Sequence, residues 1–338
     1  MADASPDVTR PPVPLSKPST LWLVLLSLVA AAGLGALGAA YVVELPLLAQ
    51  RAASGVVSAV IAVALAWRTG GRPWISGLLV VAMSVAVLLL DRPFLYAGAT
   101  VGTAVMAAVL ALMVTTPAAR YLRAAVEVVI ALVVATLSGL AAAGWQAEID
   151  HGRYDYVVLG GSLLAAGMLV YRLGAGFHGL GRRGYIVIAT AFAVIVIALV
   201  YSEALTRWGP TGFLQTMETA RADVQGLIGA VPHPIESLVG VPAIVYGAFV
   251  RARRRQGWWV VAFGAAVTAP STERFMEHGL DVVPIVLGAA YSLVIGLVIG
   301  YLVIRVEQAF TGSKGSRARR REEAEAVRPE PSRTYPLS

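Results

Sequence analysis

The chain has 338 residues, 57% hydrophobic and 14% charged, with a formal net charge of +7 and a mean hydropathy of +0.72. A soluble globular domain carries about 25% charged and about 45–50% apolar residues, so composition places this chain in a membrane and excludes an ordinary soluble enzyme. It contains no cysteine, which removes thiol nucleophiles, disulfides and thiolate metal sites, and no asparagine, so it has no N-glycosylation acceptor.

Residues 1–20 contain five prolines and scattered charge. They read as a disordered cytoplasmic lead. Crossing a hydrocarbon core of about 30 Å takes roughly 17–25 apolar residues as a helix. Apolar stretches that meet or approach this length lie at 22–43, 52–67, 75–90, 94–114, 124–144, 156–171, 184–201, 235–250, 257–270 and 282–304. The fold expected is therefore an all-α integral membrane protein, a polytopic bundle of about ten transmembrane helices occupying 21–304. The second, eighth and ninth stretches are short for the task and either extend into their flanks, thin the bilayer or re-enter. The first is too long for a signal-peptide apolar region and no small-residue cleavage site follows it.

Loops between the stretches are tight except 202–234. There Phe213, Met217, Ala220, Val224 and Leu227 recur at spacings of four, three, four and three, the pattern of an amphipathic helix that lies in an interface or caps the bundle. Residues 305–338 are basic and proline-containing and read as a solvated cytoplasmic tail.

Charge sets the orientation. Cytoplasmic loops collect Lys and Arg. With both termini inside, the inner segments hold 21 of the 27 basic residues, including the run Arg251, Arg253, Arg254, Arg255, while 12 of the 20 acids lie outside. The partition is that of a multi-pass protein of the cytoplasmic (inner) membrane. Arginine-rich usage with only Lys17 and Lys314 as lysines fits a high-GC bacterial genome. Tryptophans 22, 67, 74, 145, 208, 258 and 259 fall at or beyond stretch ends, where indole favours the headgroup level.

Ionisable residues inside spans are costly and mark ion or proton paths. Glu127 lies within an expected span, one turn from the inner end, and Arg123 at i−4 is placed to pair with it. Gly288, Ser292, Gly296 and Gly300 recur every fourth residue, as do Ala32, Ala36 and Ala40. Such stripes permit close helix packing, within one subunit or across a homo-oligomer seam. The remaining polar chemistry gathers on the outer face. One group is Gln146, Glu148, Asp150, His151, Arg153 and Asp155. A second is Glu203, Arg207, Glu218, Arg221 and Asp223. A third runs from His233 and Glu236 to Glu273, Arg274, Glu277, His278 and Asp281. Histidine beside carboxylates serves as a general base, a phosphate-attacking nucleophile or a metal ligand, and Arg274 is suited to an anionic group. Equally, short outer loops must be hydrophilic. No metal-ligand spacing and no cofactor motif is present. Gly174-Ala175-Gly176-Phe177-His178-Gly179 has no strand before it and reads as a turn. The basic charge follows topology, so nucleic acid is not implied. Membrane lipids are the expected partners, with anionic lipid at the Arg-rich inner loops.

The third group resembles the carboxy-terminal half of the type 2 phosphatidic acid phosphatases. Val231-Pro232-His233-Pro234 stands where that family has Pro-Ser-Gly-His, and the segment from Ser271 through Arg274 and His278 to Asp281 stands for its Ser-Arg-x₅-His-x₃-Asp motif. The resemblance implies a catalytic set of His233, Arg274, His278 and Asp281. Both spacings are altered, the family's Lys-x₆-Arg-Pro is missing, and under a third of the chain is covered. The function expected is a non-catalytic envelope-assembly or scaffold protein. The alternatives are a transporter or flippase of a small or lipid-linked substrate, and a membrane enzyme acting on a lipid-linked phosphate at the outer face.

Overall fold

The computed structural model describes residues 20–174, 181–278, 281–311 and 330–337. Every regular element among them is helical. In chain order these are α1 (Thr20–Ala39), α2 (Leu47–Arg68), α3 (Pro73–Leu90), α4 (Pro93–Met113), α5 (Tyr121–Ala143), α6 (His151–Arg172), α7 (Gly181–Trp208), α8 (Thr211–Ile228), α9 (Val241–Arg251), α10 (Gly257–Ala262), α11 (Ala265–Ser271), α12 (Arg274–His278) and α13 (Val282–Thr311). Seven of them, α1 to α6 and α13, are long and apolar enough to cross a membrane.

Large side chains that would be buried in a soluble protein point outward here. Leu78 is 68% exposed and Leu122 76%. A helix with apolar groups on its outer side has lipid as its solvent. Proline at the first turn starts α3 and α4, where its fixed φ suits the helix and its missing N–H costs nothing. Between these two helices Asp91 adopts a left-handed φ of 46°, a conformation that Asp tolerates better than most residues. Its carboxylate accepts the Tyr96 hydroxyl at 2.8 Å and lies 3.5 Å from the Arg51 guanidinium.

The core is built on small residues. Ala104, Ala108, Ala111, Ala124, Ala131 and Ala135 are wholly buried along α4 and α5, which lets backbones approach where lipid supplies no hydrophobic drive between helices. Short hydroxyl bonds tie the layers. Ser58 of α2 meets Thr103 of α4 at 2.8 Å, and the Trp145 indole donates to the same Thr103 oxygen at 3.1 Å.

Three of the ten expected spans are not among these seven. The seventh stretch is α7, in which the apolar part runs Ala189–Leu205. The eighth is a π-helical turn, Glu236–Gly240, that runs without a break into α9. The ninth is divided into α10 and α11, separated at Phe263–Gly264, with Pro270 inside α11. Ala265, Ala266, Val267 and Ala269 of α11 are wholly buried, packed among α4, α5, α6 and the π turn. A lipid-exposed helix cannot break, because its freed N–H and C=O groups would have no partner. Inside protein, breaks are tolerated. Two glycines make this insertion possible. A Cβ on Gly139 would collide with the Thr272 carbonyl, and one on Gly240 with the Val267 backbone.

Several expectations are corrected at the level of single residues. Glu127 does not need Arg123: its carboxylate accepts the Thr116 N–H at 2.7 Å and hydroxyl at 2.8 Å, and pairs with Arg333. Trp145 and Trp258 are 1% and 3% exposed, so they are core side chains and not interfacial anchors. In α1 the buried positions are Gly33 and Leu37, one residue off the Ala32/Ala36 line, which faces outward. The Gly296 and Gly300 positions of α13 lie against Val241 and Val245 of α9, so that stripe is occupied within the chain.

Candidate functional site

The π turn does more than continue α9. One extra residue per turn rotates the helix start, and such turns recur at functional sites. Here it carries Glu236 inward, 1% exposed. The turn is anchored through His233, which accepts both the Ser237 N–H and the Ser237 hydroxyl at 3.0 Å on its carbonyl. The His233 N–H donates in turn to the Ser292 hydroxyl of α13 at 3.0 Å. Opposite stands Arg274, the first residue of α12, 3% exposed. Its Nη2 donates to both Glu236 oxygens, at 2.9 and 2.8 Å. Its Nε has no partner, and neither has the buried Tyr154 hydroxyl.

This pair forms part of the wall of a cavity of about 420 Å³. Glu273, 4% exposed, lines it beside Arg274. Asp155 and Tyr156 come from the start of α6, Arg221 from α8, and His233 and Pro234 from the segment before the π turn. The lining thus holds three carboxylates, two guanidiniums and one imidazole. The Arg274–Glu236 contact is charge-assisted, with one guanidinium nitrogen shared between the two carboxylate oxygens. Its formation offsets the cost of taking both charges out of water, and either partner alone is expensive. Asp155, Glu273 and His233 add further polar atoms to the wall.

Members of the three polar groups of the sequence converge here, because one member of the first (Asp155), one of the second (Arg221) and four of the third share a single cavity. Of the four residues implied by the phosphatase resemblance, His233 and Arg274 line it. Asp281 is exposed and stands outside the lining. The His278 side chain lies outside the described residues, as do those of His151 and Glu277. Arg274 gives its Nη2 to Glu236. Tyr154 and Tyr156 were missed by sequence reading. Their place one turn into α6, on either side of Asp155 in the chain, is the signal that could have found them. Among the described residues no group of three or more His, Asp or Glu is placed to hold a metal ion.

The arginine-rich end of the bundle holds a second polar cluster. Arg251, the last residue of α9, is wholly buried. Its Nη1 donates to the Thr115 hydroxyl at 2.8 Å, its Nη2 to the Thr115 carbonyl at 3.1 Å and to Glu330 at 2.6 Å, and its guanidinium stacks on the Trp258 ring. Arg68, the last residue of α2, is 1% exposed and donates to the carbonyls of Met113, Ser332 and Tyr335. The end of the tail, expected to be solvated, is packed against the bundle.

Comparison of the chain with protein-family models, with curated proteins and with solved structures found no match. The functional reading therefore rests on the geometry.

Proposed function

We propose that this is a multi-pass protein of the cytoplasmic membrane that binds a small polar or lipid-linked substrate in the cavity at Glu236 and Arg274 and moves it across the bilayer, as a transporter or flippase. In this reading the chain crosses about ten times: α1 to α7, the Glu236–Arg251 run, the broken α10–α12 run, and α13. Both termini are cytoplasmic, and the cavity opens toward the outer face. The observation that carries the reading is the composition of the cavity wall. It brings Asp155, Arg221, His233, Glu236, Glu273 and Arg274 into an otherwise largely apolar wall, it contains a buried ion pair, and it is made by a helix that starts in a π turn and by a helix broken twice. Discontinuous helices are how transporters bring backbone and side-chain polarity to a binding site inside the membrane.

A second reading, an outer-face enzyme, is favoured by one observation: His233 and Glu273 line the same cavity and are of the type that serves as general base.

The test uses the absence of native cysteine. Leu159→Cys and Ile235→Cys each place one thiol in the cavity lining. A membrane-impermeant maleimide is applied to right-side-out and to inside-out vesicles. A transporter exposes these positions to each side in turn, so both preparations label. Labelling from the outer side alone sinks transport and leaves the enzyme. Labelling from neither side leaves the assembly role.

A further inference from the structure

We infer that the arginine-rich end of the bundle is a peptide-recognition groove for an extended, proline-bounded segment that leads with a glutamate, and that the chain's own Glu330–Leu337 is its resident, releasable ligand. The inference goes beyond the proposed transport and does not depend on it.

The segment Glu330-Pro331-Ser332-Arg333-Thr334-Tyr335-Pro336-Leu337 forms no helix. It is held in the ways that grooves hold extended peptides. One side-chain charge is read at depth, where Glu330 meets the wholly buried Arg251 at 2.6 Å. The backbone is read along its length. Arg68 donates to the carbonyls of Ser332 and Tyr335, the Trp67 indole donates to the Thr334 carbonyl at 2.9 Å, and the Leu337 N–H donates to the Arg68 carbonyl at 2.9 Å. A second charge is read by Glu127, which pairs with Arg333. The apolar end, Pro336 and Leu337, is buried.

The groove side also has hydrogen bonds of its own. Arg68 is fixed by the Met113 carbonyl, and Arg251 by Thr115 and the Trp258 ring. It is also rich in donors. Arg68 Nη2 and Arg251 Nε are buried with no partner, so the pocket favours a chain that brings negative charge and carbonyls. Arginine is suited to this because its planar donor fork stays charged when buried. Residues 312–329 connect the segment to α13. This tether makes docking an intramolecular event at high effective concentration.

Thr334 is exposed at its side chain while its carbonyl is bonded, so Thr334→Cys reports docking without removing a contact the groove reads. The full chain carrying a nitroxide at this sole thiol is placed in lipid nanodiscs. The label is expected to be immobilised. Adding Glu330→Gln, or Leu337→Asp, is expected to raise the mobile fraction about tenfold or more, the effect of losing a buried charged contact. A fluorescent peptide of residues 330–337 is expected to bind the Glu330→Gln chain saturably and the unsubstituted chain about tenfold more weakly, because there the groove is filled. A mobile label in the unsubstituted chain, no release on either substitution, or equal peptide binding by the two chains would each overturn the inference.

Discussion

Glu236 and Arg251 stand at opposite ends of one uninterrupted helical run, and each closes a buried ion pair with a residue distant in sequence, Arg274 at 2.8 Å and Glu330 at 2.6 Å. By helix rise they are on the order of 20 Å apart. One rigid element therefore joins the cavity to the tail groove.

The Glu236–Arg274 pair is expected to be strongly asymmetric to mutation. Glu236→Gln or Arg274→Gln alone leaves the other charge buried and costs about 3–5 kcal/mol, whereas replacing both with Met restores much of the loss. Both side chains are 4% exposed or less, so solvent screening does not reduce the effect. Thermal unfolding of the three variants in one detergent checks this. Singles as stable as the unsubstituted chain would show that the pair is not formed.

A link through the shared helix predicts that the tail is felt at the cavity. Glu330→Gln is expected to change the maleimide labelling rate of Ile235→Cys severalfold, although the two residues belong to opposite ends of the run. The observation against it is an unchanged rate in a chain whose tail is shown to be released.

Gly139 lets the carbonyl of Thr272 lie directly on α5. Gly139→Ala is expected to cost about 1–3 kcal/mol through overpacking, whereas Gly98→Ala, where a Cβ meets nothing within 4 Å, is expected to be neutral or slightly stabilising. Equal stabilities in unfolding experiments would sink the proposed close approach.

Helix α8 has no buried residue, and Phe213, Met217, Val224 and Leu227 of its apolar stripe are all exposed. If this stripe rests in the outer headgroup layer, Phe213→Glu with Leu227→Glu leaves stability within about 0.5 kcal/mol. The same change reduces quenching of the neighbouring Trp208 relative to the unsubstituted chain, both measured with brominated lipid in chains that keep Trp208 as the only outer indole. Unchanged quenching would place α8 off the membrane.

Seven long helices could be read from the chain because lipid demands the same of each: an apolar surface all round, sustained for the thickness of the bilayer. The rule is local, so a local pattern reports it. It fails where protein replaces lipid as the surrounding. The stretch 257–270 is as apolar as a span, yet it is broken at Phe263–Gly264 and carries Pro270 within α11, because its breaks are shielded by α4, α5 and α6. Trp145 and Trp258 carry the same composition signal as the exposed Trp74 and Trp208, but they are buried.

The amino-acid sequence alone determined that the chain is helical and suited to a membrane, and it named most of the polar residues at the cavity as members of separate loops. Only tertiary structure decided that Asp155, Arg221, His233, Glu236, Glu273 and Arg274 share one cavity, and that Glu330 reaches Arg251 across 79 residues of chain. The reason is physical. Hydrophobicity acts on each residue through its solvent, whereas an ion pair depends on two side chains brought together by every helix between them.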